Sequence, residues 1–245
     1  MKADPSRQAR LLDLQALDTR LAQLDHRARS LPEHADAAQL TERLGDLEAE
    51  VVRTRTAQQD VQRELTKAEA DVQLVRDRAE RNRTRLEVGT GTARDLQGLQ
   101  HELESLARRQ EVLEDLEIEV MERAETADAA ALQAERARDE ALEQLQQVTA
   151  RRDALLAEVQ AERAEVAAGR DGLVGEVGAD LVALYERIRA HSGTGAAPLQ
   201  ARRCGGCHME LNPVVLSRIK AAEEDEVLRC EDCSRILVRT DESGS

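Results

Sequence analysis

The chain has 245 residues, enough for one large or two ordinary domains, but it contains no Phe, no Trp and a single Tyr, Tyr185, which excludes a broad aromatic core. Charged residues make up 34% of the chain and the apolar ones are mostly Ala, Leu and Val, a composition that fits long helices burying one narrow seam. The formal charge of −14 excludes recruitment to nucleic acid by the net field, so any such contact needs a local basic patch.

The opening stretch MKADPSRQARLLDLQALD has no apolar segment of signal-peptide length, and no run of 18 apolar residues follows anywhere, so a cytoplasmic protein without membrane spans is expected. Leu14, Leu17, Leu21, Leu24, Ala28 and Leu31 then keep the alternating three-four spacing of a coiled-coil seam. Pro32 interrupts it, and Ser30 to Glu33 reads as a capping box that starts a new helix. The seam resumes at Leu40, Leu44, Leu47 and Val51 and runs to Leu86, with its phase moved by two residues, which predicts a kink near residues 30–36.

The segment EVGTGTARD is the next strong turn signal, centred on Gly89 and Gly91 within 88–94. Helical spacing restarts at Leu96, Leu99, Leu103 and Leu106 and persists to Val159 through an alanine-rich stretch. Two long helices around one short loop predict an antiparallel hairpin over residues 1–168; an intermolecular coiled coil is the rival arrangement, and monomer and homodimer both stay open. Gly169, Gly172, Gly175 and Gly178 predict a hinge that ends the second helix, followed by a short helix carrying Leu181, Leu184, Tyr185 and Ile188 and by a linker up to 198. Beyond it, residues 199–245 read as a small β-rich module, with strand candidates PLQARRC, EVLRC and RILVRT around a helix that begins with Asn212 as N-cap and Pro213 at its first position.

That module holds all four cysteines. Cys204 and Cys207, a 22-residue spacer, then Cys230 and Cys233 form two C-x2-C pairs, and two such pairs supply the four corners of a tetrahedral zinc site. Four sulfurs leave no position for water or substrate, so one structural Zn2+ is expected, holding together a segment too small to fold on its own apolar content. Thiol redox chemistry is the alternative use of C-x-x-C, although the βαβ setting it normally occupies is missing, and His208 is an alternative ligand.

Two basic sets are candidate contacts for nucleic acid or a partner. Arg76, Arg78, Arg81, Arg83 and Arg85 precede the hairpin turn; Arg202, Arg203, Arg218 and Lys220 lie in the cysteine module, where Arg229, Arg235 and Arg239 add to the charge. The bland reading of the first set is solvated arginines paired with nearby acids or with the facing helix. No catalytic triad, phosphate loop or H-E-x-x-H motif occurs, so no enzymatic activity is expected.

LQGLQHELESL after the turn, LEDLEIEVME in the second helix, LVALYERIR before the linker, and the pairing of CGGCHMEL with CEDCSRILV together resemble a bacterial family with an N-terminal coiled-coil hairpin and a C-terminal C4-type zinc ribbon. The resemblance implies a mainly α fold, zinc on Cys204, Cys207, Cys230 and Cys233, and a non-enzymatic adaptor or regulator with a protein or protein–RNA partner. It also implies a ribbon of the kind described as nucleic-acid-binding, which keeps direct RNA or DNA contact open as the second reading. Ser234 departs from the family pattern, which has Gly after the final Cys, and the turn lacks the aromatic residue often found there.

Overall fold

The computed structural model describes residues 1–243; the last two residues of the predicted C-terminal module lie outside them. The chain forms two compact units, a helical one of Ala35–Ala150 and a mixed one of Met1–His34 with Arg151–Ser245. Three long helices supply most of both: α1 (Pro5–Arg29), α2 (Pro32–Val88) and α3 (Ala93–Val177).

In the helical unit α2 and α3 run antiparallel. Arg55 pairs with Glu135 at 2.6 Å, Arg123 with Glu64 at 2.8 Å and Arg76 with Glu114 at 2.5 Å, so one partner number rises as the other falls. Such exposed pairs contribute at most about 1 kcal/mol each, and their use is to fix register. The seam between them buries Val51, Ala68, Val72 and Ala79 of α2 against Leu106, Leu113, Val120 and several alanines of α3. At the turn, Gly89 adopts a left-handed φ of 67° that ends α2. Thr92 and Asp95 then cap α3 reciprocally: Thr92 N donates to Asp95 Oδ2 at 2.9 Å and Asp95 N to Thr92 Oγ1 at 3.3 Å.

The mixed unit contains α1, the end of α3, α4 (Ala179–Ser192), the strands β1 (Ala196–Gln200) and β2 (Arg203–Cys204), α5 (Pro213–Ala221), β3 (Leu228–Arg229) and β4 (Ile236–Arg239). Its sheet has the order β2-β1-β4-β3, with β1 and β4 parallel and the other two pairs antiparallel. One core joins Leu11 and Leu14 of α1, Val177 of α3, Leu181, Tyr185 and Ile188 of α4, and Ile236 and Val238 of β4.

Three expectations need correction here. The glycine series does not end the second helix: α3 continues through Gly169, Gly172 and Gly175 to Val177, because Leu173, Val174 and Val177 pack into this core, and burial outweighs the roughly 1 kcal/mol cost of each glycine. The break comes at Gly178, with φ of 86°. The segment 192–198 is not all linker, since β1 starts at Ala196; its preceding Gly195 has to be glycine, as a Cβ there would stand 2.7 Å from the Tyr185 carbonyl oxygen. The capping box at Ser30 does not form either. Ser30 N is already given to the α1 carbonyls of His26 and Arg27, which makes Ser30 the C-cap of α1.

Two features of this unit have no sequence signature. Met1 to Ala3 adds an edge to the ribbon: Val227 N donates to Met1 O at 3.0 Å and Ala3 N to Asp225 O at 2.7 Å. Asp18 is buried in the face of α1 where leucines were expected. It accepts from Arg170 Nε of α3 at 2.7 Å and from the Tyr185 hydroxyl of α4 at 2.7 Å, with Arg189 Nη2 at 3.2 Å. Beside it Gln15 Oε1 accepts from Gly195 N at 2.7 Å, tying α1 to the start of β1.

Candidate functional site

The two cysteine pairs sit on two equivalent turns. In the first, Cys204 ends β2, its N–H donates to Met209 O at 3.1 Å, and its carbonyl accepts from His208 N at 2.8 Å. In the second, Cys230 follows β3, donates to Arg235 O at 2.9 Å and accepts from Ser234 N at 2.9 Å. Each turn passes through one left-handed residue directly after its second cysteine, His208 with φ of 60° and Ser234 with φ of 62°. Gly206 lets the first turn approach the sheet, because a Cβ there would meet Ala197 Cβ at 3.0 Å.

These turns bring all four Sγ atoms within 4.8 Å of one another, with Cys204 and Cys230 buried and Cys207 and Cys233 half-buried. Sγ–Sγ separations of 3.8 Å for Cys204–Cys233 and 3.8 Å for Cys207–Cys230 are too long for disulfides. They match the edge of about 3.8 Å of a tetrahedron whose centre is about 2.3 Å from each sulfur, so the residues fit zinc. The short contacts cross between the pairs, so one ion would join the two turns.

Burial raises the thiol of Cys204 and pushes that of Cys230 up to about 12. Burial acts the same way on Cys233, but hydrogen bonds from the backbone and side chain of Arg235 outweigh it and bring this thiol down to about 7. A metal drawing thiolates from this set has to displace protons, so its hold weakens as pH falls. His208 is exposed and outside the cluster.

Around the sulfurs lie Ala197, Leu199, Leu211, Val215, Leu216, Ile219 and Leu237, a second apolar core supplied by β1, α5 and β4. The helix α5 is placed by Asn212, whose Oδ1 accepts from Val214 N at 2.9 Å, and by Arg239, whose guanidinium donates to the carbonyls of Ile219, Ala222, Glu223 and Glu224 at its far end. Because a left-handed φ costs a non-glycine residue about 1–2 kcal/mol, Ser234→Gly is expected to raise the thermal midpoint of the zinc-loaded protein by about 2–4 °C, read by calorimetry.

The basic sets divide by what they touch. Near the hairpin turn Arg76 is paired with Glu114, Arg78 with Glu102 and Arg83 with Glu80, while Arg81 and Arg85 have no ion pair among the described residues. In the ribbon Arg218 is paired with Glu231. Arg229 donates to Ser234 O, and Arg235 to Thr194 Oγ1 and Ser192 O, so these two act as internal braces. Arg202, Arg203 and Lys220 are exposed and have no ion pair among the described residues.

Comparison with known proteins places this geometry. The description "CT398-like coiled coil hairpin domain" matches residues 14–193, and "C4-type zinc ribbon domain" matches residues 203–237. The uncharacterized protein Rv2229c of Mycobacterium tuberculosis is 40% identical over 245 residues, spanning 98% of both chains. A solved Mycobacterium smegmatis structure is 38% identical with a TM-score of 0.82, over 98% of this chain and 100% of that one. The structure of CT398 from Chlamydia trachomatis, 16% identical with a TM-score of 0.62, covers 96% of this chain and 98% of that one and shares the fold.

Proposed function

This chain belongs to the CT398-like coiled-coil hairpin family and carries a C4-type zinc ribbon, and on that premise we propose that it is a non-enzymatic adaptor that binds a protein or protein–RNA partner in the cytoplasm. The four-sulfur centre carries the proposal. With every corner of the tetrahedron taken by a cysteine, a bound zinc offers no position to a substrate, and its contribution is to hold the ribbon in shape. Coiled-coil hairpins and C4 ribbons are not typical enzymes, and among the described residues no helix is long and apolar enough to cross a membrane.

Direct recognition of nucleic acid through the arginines is the second reading. Against it, Arg76, Arg78, Arg83 and Arg218 already face carboxylates. The rest of the two sets is Arg81 and Arg85 in the helical unit and Arg202, Arg203 and Lys220 in the mixed one, small numbers against a net charge of −14. The two readings separate by affinity capture with the full-length protein from its native cell, before and after RNase treatment. The adaptor reading expects a stoichiometric protein partner that survives RNase; recovery of RNA alone, with binding that falls steeply with salt, would replace it with the second.

A further inference from the structure

We propose that the groove between α5 and the β1–β2 turn is the docking site for an acidic protein segment in which a carboxylate stands beside an apolar side chain. This inference rests on the adaptor reading and gives it a surface. The groove has a volume of about 270 Å³, with Leu199, Leu216 and Ile219 as its floor and Arg202 and Lys220 on its rim. Small-molecule sites run from about 300 to 1,000 Å³, so this one suits one or two side chains of a peptide better than a cofactor.

Charge complementarity sets the occupant. Neither Arg202 nor Lys220 has an ion-pair partner among the described residues, and the carboxylate of neighbouring Glu242 is held by Gln200 at 3.1 Å. In a chain carrying −14, two exposed cations without an ion pair among the described residues, set beside a shallow groove over the edge of the second apolar core, are arranged to meet acid from another molecule. Single-strand readers commonly add stacked Phe, Tyr or Trp side chains to their cations, and Tyr185, the one residue of those three types in the chain, is fully buried.

The backbone supplies an independent observation. Ala201 and Arg202, the two residues linking β1 to β2, have φ of 45° and 67°, the left-handed pair of a tight hairpin turn in which Asn-Gly is free of strain. Arginine at the second position destabilises the turn relative to glycine, yet its side chain lines the groove. Arg202 thus stands at the groove despite that backbone cost, which makes its replacement by glycine a test that separates binding from stability.

The test uses the zinc-loaded full chain and a fluorescein-labelled decapeptide of alternating glutamate and leucine, read by anisotropy, with a lysine–leucine decapeptide and labelled decauridylate as comparisons. The acidic peptide is expected to bind and the basic one not to. Lys220→Gln should weaken binding about fivefold. Arg202→Gly should weaken it by a similar factor while raising the thermal midpoint by about 2–4 °C, a combination that an arginine serving only structure would not produce. Absence of acidic-peptide binding at millimolar concentration, unchanged affinity in both variants, or tighter binding of decauridylate through the same two residues would overturn the proposal. In the RNase-treated capture, undiminished recovery of a protein partner by both variants would overturn the groove and leave the adaptor reading intact; loss of that partner in both variants would support it.

Discussion

Cys230→Ser is expected to abolish zinc retention and to unfold the two cysteine turns and α5, while α2 and α3 stay helical and β1 and β4 keep their packing on the first core. The second apolar core contains only seven apolar side chains besides the cysteines, too little to fold a segment of this size unaided. A four-cysteine zinc contributes on the order of 10–16 kcal/mol to folding in small modules at neutral pH, so its loss exceeds what these contacts can replace. Helices of 57 and 85 residues keep most of the far-ultraviolet signal, and the nine residues of α5 remove little of it. The change appears instead in amide exchange. Leu216 and Ile219 of α5 should lose protection, while Val51 and Val120 in the helical unit should keep theirs. Chelation at mildly acidic pH should have the same effect more readily than at neutral pH, because Cys204 and Cys230 regain protons that burial makes costly to remove. Full zinc content in the Cys230→Ser protein, with these amides still protected, would contradict the assignment.

Asp18→Ala should destabilise the mixed unit by about 3–5 kcal/mol, a fall in thermal midpoint on the order of 10 °C. The Asp18 side chain is 1% exposed, and its removal leaves the half-buried Arg170 and Arg189 sharing only the partly exposed Glu186. It also strips the Tyr185 hydroxyl of its 2.7 Å acceptor. Tyr185 reports the event directly, being the only aromatic residue in the chain. Burial first, and the bond to Asp18 second, hold its phenol above the ordinary tyrosine range, so in the wild-type protein it should ionise only on unfolding. The unfolded chain releases that proton near pH 10 and the folded one retains it, so this contribution to stability is complete below about pH 10 and is lost as pH rises beyond it. Near-ultraviolet absorbance during alkaline titration reads both effects, and a wild-type-like midpoint in Asp18→Ala would remove Asp18 from its central place.

Local patterns in the sequence recovered the elements that local chemistry specifies. The cysteine spacing needed no tertiary knowledge, since a thiolate pair two residues apart already defines half of a metal site. Gly89 and Gly91 lie between the antiparallel α2 and α3, and Asn212-Pro213 opens α5 as its capping chemistry predicts. What escaped reading is set by contacts between residues far apart in the chain. Asp18 reads as one more surface carboxylate until Arg170, Arg189 and Tyr185 are brought to it from 152 to 171 residues away. The helical glycines from 169 to 175 mislead because propensity is a local quantity and the core on their far side is not. Met1 to Ala3 is too short to show a period, and it becomes a strand edge only because residues 225–227 present open backbone groups. Among the basic residues the sequence shows charge alone, whereas the structure separates Arg76, Arg78, Arg83 and Arg218, already paired, from Arg81, Arg85, Arg202, Arg203 and Lys220, which have no ion pair among the described residues.

X-ray absorption at the zinc edge of the purified protein distinguishes a closed four-sulfur site from an open one. About one zinc per chain is expected, with four sulfur neighbours at about 2.3 Å and no oxygen or nitrogen bound to the metal. A fit that requires a light-atom ligand or an open coordination position would contradict a closed structural site and return the ribbon to the candidates for catalysis.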